Sequence, residues 1–265
     1  MYTRTLRRLS ITMLSCVLSL FCFSQSTNTA FLAGEKLTYT GSYNMSSLWT
    51  DIARVTLETS EAKAANQSLL NLRMTATTFT SWDNYFKIRD LYQSWVDPVT
   101  TLPLVFKRDM YEGGYTKDAK YVFKRKSLLA IASDKRKDGS IKQTSIKITP
   151  TVHDLISVLY YARTLDYSAM PVNKVIRVTV LIDNKLETIN IKFKGIEDIK
   201  IEKYGTRKCY KLGVSINNEK IVKTRETNNI WLTADKNKVP VLIKADIPVG
   251  SVQLRLTEMT GLRNK

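Results

Sequence analysis

The chain is poor in histidine and cysteine: His153 is its only imidazole, and its three cysteines fall at 16, 22 and 209. That scarcity excludes much chemistry. One His and one Cys beyond the N-terminal segment cannot build a zinc site of the usual four-ligand kind, and no carboxylate run has calcium-loop spacing. A hydrolytic triad needs a base. His153 sits in what reads as the first turn of a helix, where the dipole lowers its basicity, and Asp154 beside it points elsewhere on that helix. The residue therefore reads as a helix start near the surface. Glycine and proline are also few, at ten and six. Gly113-Gly114 is a turn, since no P-loop or GxGxxG pattern surrounds it, and no cofactor is expected.

Acids are outnumbered, 24 against 41 Lys and Arg, for a net charge of +17. The N-terminus accounts for part of the excess. Arg4, Arg7 and Arg8 precede the apolar stretch LSITMLSCVLSLFCF. That stretch stops short of the ~20 residues that span a bilayer, and Cys22 and Ser24 are small residues at the positions a signal peptidase reads. A secretory signal over residues 1–24 is the reading. Lipoprotein cleavage before Cys16 or Cys22 is the alternative, poorly served by Leu14 and Phe21. Removing residues 1–24 takes three Arg and no acid, leaving a net charge of +14. Cys209 then stands alone, so no internal disulfide can form and stability must come from an ordinary core.

An exported basic chain points away from nucleic acid and towards an anionic membrane surface, an envelope protein or an acidic polymer. The densest cluster, SDKRKDGS at 133–140, reads as a solvated hairpin tip.

Along the chain, KLTYTGSY, DIARVTLETS and LLNLRMTATT alternate apolar and polar residues with many β-branched positions, as half-buried strands do. Ser81 is positioned to cap a short helix, WDNYFKI. One longer helix is expected over about 151–163, with Thr151 as cap and Asp154 three residues on. Its apolar stripe is Val152, Leu155, Ile156, Leu159 and Tyr160. After DYSAMP the pattern returns to strands joined by short turns, as antiparallel neighbours are. No Pro-, Gly- or Ser-rich linker divides the chain. The fold class is mainly β: a curved antiparallel sheet or barrel, with the helix packed on its concave face. The domain is single over 25–265, with two similar halves, 34–150 and 172–260, left open. Lys192 and Lys194 lie opposite Ile191 and Phe193, where a membrane barrel would need apolar residues facing lipid.

One phrase is written twice. SWVDPVTTLPLVFKRD at 94–109 and IWLTADKNKVPVLIKAD at 230–246 each run from a Trp (95, 231) through a turn to a Pro (103, 240) and on to a Lys (107, 244). Proline lacks an N–H and suits the first residue of a strand leaving a turn. Each phrase reads as a hairpin with Trp as an inner-face anchor.

Four stretches carry a resemblance: GEKLTYTGSYN, DNYFKIRDLYQSWVDPVTTLPLVFKRDMYEGGY, VHDLISVLYYARTLDYS and VPVLIKADIPVGSVQLRLTEMTGLRN. In this order they resemble exported Gram-negative proteins, common in Bacteroides-type bacteria, grouped as domain of unknown function 3108. The resemblance implies export and a β-rich domain and brings no catalytic residues. More loosely, the Trp–turn–Pro hairpin is similar to one in periplasmic lipoprotein carriers, open barrels whose helices plug an apolar cavity.

Three chemistries remain to weigh. Asp83, Asp90, Asp97, Asp109 and Glu112 could hold a paired-acid site, but most should cap, close turns or pair with Arg89 and Arg108. Cys209 lies between Lys208 and Tyr210, two residues after Arg207, where cations could activate it, against a plain half-buried thiol. The aromatics Trp82, Tyr85, Phe86, Tyr92, Trp95, Tyr160, Tyr161 and Trp231 would line a cavity if the helix fills the barrel only partly. The expectation is a non-enzymatic envelope protein in the periplasm or at the periplasmic face of the outer membrane. It binds or shields an apolar or amphipathic ligand such as a lipid or acyl chain; the alternative is an assembly module for another envelope protein.

Overall fold

A computed structural model describes residues 27–44, 48–64, 67–216, 228–247 and 249–265. The expected signal segment, 1–24, and its cleavage site lie outside them. Two antiparallel meanders make the molecule. The first comprises β1 (Lys36–Asn44), β2 (Thr50–Ala64), β3 (Gln67–Thr78), β4 (Arg89–Val96), β5 (Pro103–Glu112), β6 (Tyr115–Lys124), β7 (Leu129–Lys135) and β8 (Ile141–Lys147). A connection carrying the helix α1 (Ser157–Thr164) leads to β9 (Val175–Ile182), β10 (Lys185–Ile201) and β11 (Gly205–Ile216). The chain finishes with β12 (Asn229–Thr233), β13 (Pro240–Asp246) and β14 (Ser251–Thr260).

Pairing of β1 with β14 fuses the meanders into one 14-stranded sheet with β8 and β9 at its edges. The sheet curls without closing its ladder. Two devices bring the edges together. Residue 153 pairs in parallel with β9: the His153 N–H donates to the Thr179 carbonyl and the Leu181 N–H to the His153 carbonyl, both at 2.9 Å. The β9–β10 turn reaches across to the first meander, where Asp183 accepts from Arg108 and Lys117 and Asn184 donates to Asp134 at 2.5 Å.

Alternation sets the faces, because successive strand residues point to opposite sides. In β10, Ile189, Ile191 and Phe193 are buried while Asn190, Lys192 and Lys194 are half-exposed, as the sequence predicts. The helix is buried nearly all round and touches three apolar clusters. Ile156 and Tyr160 join Leu72, Phe106 and Tyr121; Val158 and Ala162 join Val180, Ile191 and Leu212; Leu159 packs on the cluster of Leu37, Tyr39 and Leu256. Each such large apolar side chain contributes roughly 1.5–3 kcal/mol by leaving water.

Two helix expectations need correction. The long helix begins at Ser157, six residues after the predicted Thr151 cap. The backbone of His153 is committed to β9, so 151–154 cannot coil, and the Asp154 carboxylate caps instead, accepting the N–H groups of Ile156 (2.9 Å) and Ser157 (2.8 Å). The short helix expected over WDNYFKI is only a 3-10 turn at Thr80–Trp82, with no side-chain cap from Ser81. Four exposed residues in a row, Asn84, Tyr85, Phe86 and Lys87, leave it no apolar face to bury.

The doubled phrase folds twice the same way. Both copies are antiparallel hairpins whose register shifts just after the Trp, setting Val96 opposite Pro103 and Leu232 opposite Pro240. An Asp closes each turn: Asp97 accepts from the Val99 and Thr100 N–H groups, Asp235 from those of Asn237 and Lys238. The residue two before each Pro, Thr101 or Lys238, has positive φ. The Lys four after each Pro lies over the Trp ring, Lys107 at 5.8 Å and Lys244 at 5.9 Å.

Candidate functional site

The eight aromatic candidates do not converge. Tyr92, Tyr160 and Tyr161 are interior. Tyr160 is 1% exposed, with its ring 4.7 Å from Phe31 and its hydroxyl accepting from Thr59; Tyr92 packs near Phe106, and Tyr161 stacks 4.8 Å from the His153 ring. Trp95 is no inner-face anchor. Its neighbour Ser94 points inward, donating to Asp154 at 2.6 Å, so the indole of Trp95 faces the other way, half-exposed under Lys107. Trp231 is buried, its Nε1 donating to Glu197 Oε2 at 2.8 Å with Lys211 and Lys244 over the ring. Trp82, Tyr85 and Phe86 sit in the β3–β4 loop, with Tyr85 81% exposed.

What fills the interior is partly ionic. The Arg163 guanidinium, fully buried, donates to both Glu35 oxygens at 2.6 and 2.7 Å and to the Asn237 carbonyl at 3.0 Å. Phe31 and Tyr160 flank it at 5.0 and 5.3 Å. Sequence reading missed this pair, although a signal existed: the stripe through Leu159 and Tyr160, continued by three or four residues, lands on Arg163.

A second buried network joins Ser94, Asp154, Ser157 and His153. It is a helix cap and not a triad. His153 Nδ1 lies 3.2 Å from Ser157 Oγ, while Asp154 is taken up by backbone N–H groups and Ser94. His153 is 2% exposed, not near the surface as expected, because 153 is a sheet position. Burial, then the Arg125 charge, pushes its pKa down to about 3, so at neutral pH its imidazole is uncharged and only weakly basic. Burial raises Asp154 to about 6.

Of the five acids two do as expected, and two others, Asp90 and Glu112, come together. Asp83 pairs with Arg89, as expected, and Asp97 closes its turn. Arg108 pairs with Asp183, since the β9–β10 turn reaches it first. Asp90 is buried, and its desolvation together with the charge and hydrogen bond of Glu112 raises its pKa to about 7. Cys209 is buried, and burial with Asp235 and Asp198 nearby pushes its thiol up to about 12, the reverse of activation by cations. Among the described residues no three His, Cys, Asp or Glu side chains are grouped to hold a metal.

Three grooves open among the described residues. Consecutive antiparallel pairing places the turns β2–β3, β4–β5, β6–β7, β10–β11 and β12–β13 at one end of the sheet. There a groove of about 560 Å³ runs between the start of β11, the β12–β13 turn and the segment after β14. Val239, Met259 and Leu262 give it an apolar floor, Arg207 and Lys265 its cations, and Asp235, Asn237 and Asn264 its polar groups. Asn237 is the residue whose carbonyl holds Arg163, which ties this wall to the buried ion pair. Two smaller grooves, about 310 and 340 Å³, flank Leu242 and Leu104. None of the three is lined by any of the eight aromatics.

Comparison with known proteins agrees with the architecture. Residues 38–257 match the model of the family described as protein of unknown function DUF3108, and the chain belongs to that family. No curated protein matches the sequence. The chain is similar in fold to a β-barrel-like protein of domain of unknown function DUF1849 from Brucella abortus. The TM-score is 0.58 at 8% identity, over 89% of this chain and all of the other.

Proposed function

We propose that this DUF3108 member is an exported, non-enzymatic envelope protein that binds an amphipathic ligand on its surface, in the groove beside the β12–β13 turn. The carrying observation is the occupancy of the barrel: α1, its flanking apolar clusters and the Arg163–Glu35 pair take up the space an internal ligand would need. The groove has the volume of a small-molecule site, roughly 300–1,000 Å³. Its apolar floor and cationic lips suit an acyl or other apolar body with an anionic head. The barrel is then a rigid frame, and the twice-built Trp hairpin one of its wall elements.

Against enzymatic chemistry stand the burial and weak basicity of His153 and the unreactive setting of Cys209. A periplasmic address rests on the N-terminal sequence. An assembly role has one observation in its favour: among the described residues β8 pairs only with β7, so its outer edge offers backbone groups to an added strand.

Native mass spectrometry of residues 25–265, incubated with a bacterial lipid extract, tests the proposal. A retained mass that Leu262→Lys abolishes supports it. A bare mass, or a retained mass indifferent to Leu262→Lys, overturns the groove.

A further inference from the structure

The opposite end of the sheet carries a different surface. Antiparallel pairing gathers the turns β1–β2, β3–β4, β5–β6, β7–β8, β9–β10 and β13–β14 there. Among the described residues five aromatic side chains are exposed: Trp49, Tyr85, Phe86, Tyr111 and Tyr115. All five belong to these turns or the strand residues entering them. The exposed large side chains at the groove end are aliphatic only, such as Val99 and Leu128. Five of five at one end is a polarised distribution, and aromatic rings with one wet side are what a membrane–water interface selects.

The turns form a continuous rim. The Gly113 N–H donates to the Lys87 carbonyl at 2.9 Å, and a Cβ on Gly113 would collide with the Phe86 ring. Phe86 is thus laid over the β5–β6 turn and still 51% exposed. Lys87 lies over the Tyr111 ring at 5.9 Å. The Phe79 N–H donates to the Ile52 carbonyl, linking the β3–β4 loop to β2, and Tyr43 donates to the Val249 carbonyl in the β13–β14 turn. Val249 is itself 63% exposed. On the far side the β7–β8 turn adds Lys135, Arg136 and Lys137, all exposed, beside the 66% exposed Ile141.

We propose that this rim docks the protein on the surface of an anionic phospholipid bilayer, with Tyr85 and Phe86 entering the headgroup layer and Lys87, Arg136 and Lys137 meeting lipid phosphates. Charge complementarity selects the occupant: a basic chain, cations interleaved with interfacial aromatics, and no exposed aromatic elsewhere among the described residues. The inference does not depend on the groove, which lies at the other end. A bilayer-docked rim leaves that groove facing away from the membrane.

Vesicle flotation tests it, using the chain from residue 25 with phosphatidylglycerol-containing vesicles and, separately, pure phosphatidylcholine. Binding is expected to anionic vesicles and to fade as salt rises. Tyr85→Ser with Phe86→Ser, and independently Arg136→Glu with Lys137→Glu, should each weaken it by about tenfold or more. Both pairs are exposed, and an unchanged thermal midpoint checks that the variants fold. No vesicle binding, equal binding to both vesicle types, or binding indifferent to the variants overturns the proposal. Capture of an envelope protein by the rim without vesicle binding overturns it in favour of a protein partner. Leu262→Lys, at the groove, leaves flotation unchanged, so the two proposals fail separately.

Discussion

Arg163 and Glu35 form a two-pronged ion pair with essentially no exposed surface, tying α1 to the segment that opens β1. Two charges in a low-dielectric interior cost several kcal/mol each to desolvate, and their mutual attraction repays that only while both are present. Glu35→Gln leaves the guanidinium without its counter-charge and is expected to lower stability by on the order of 3–5 kcal/mol in urea unfolding. The double change Glu35→Leu with Arg163→Met is expected to recover most of that loss. A Glu35→Gln variant as stable as the parent would contradict the assignment.

His153 gives the acid limb of the stability curve. Its folded pKa, about 3, lies below the ordinary 6.5, so the unfolded chain takes up a proton that the folded one refuses. The contribution is intact above pH 6.5 and is lost as pH falls from 6.5 towards 3. His153→Gln should flatten unfolding free energy against pH over that window, by on the order of several kcal/mol between its ends. Equal slopes in parent and variant would contradict the burial of a neutral imidazole.

Asp90 acts with the opposite sign. Its folded pKa, about 7, stands above the ordinary 3.8, so its contribution is intact below 3.8 and is lost as pH rises through 7. Asp90→Asn keeps an acceptor for the Tyr111 N–H and removes the charge. The variant should gain on the order of 1–3 kcal/mol over the parent at pH 8 and little at pH 4. Chemical denaturation at the two pH values measures the difference.

Cys209 has a buried thiol with its pKa raised to about 12. A thiol reagent such as iodoacetamide should leave it unmodified at pH 8 in the native protein and modify it fully in denaturant. Fast native labelling would restore the reactive reading.

Alternation made the sheet legible. KLTYTGSY, DIARVTLETS and the Ile191–Phe193 stretch place their apolar residues on the face the structure buries. The hairpins at 94–109 and 230–246 were legible as hairpins, but the direction of Trp95 was not. A Trp and a Val side by side on a strand both look like core, and only pairing register decides which faces inward. The helix start at 157 was hidden because residue 153 belongs to a ladder with a strand some twenty-five residues ahead, a contact no local pattern encodes. The Glu35–Arg163 pair spans 128 residues for the same reason. The rim was partly in view: Tyr85 and Phe86 were singled out, while their exposed setting followed only from where the turns gather.

The central claim, that the ligand site lies outside the filled barrel, is tested most directly by titrating a fluorescent anionic acyl probe into three proteins: parent, Leu262→Lys at the groove, and Tyr160→Leu in the interior. The account predicts saturable binding that Leu262→Lys abolishes and Tyr160→Leu leaves at parental affinity. Binding that survives Leu262→Lys and disappears with a folded Tyr160→Leu would place the ligand inside the barrel and contradict it.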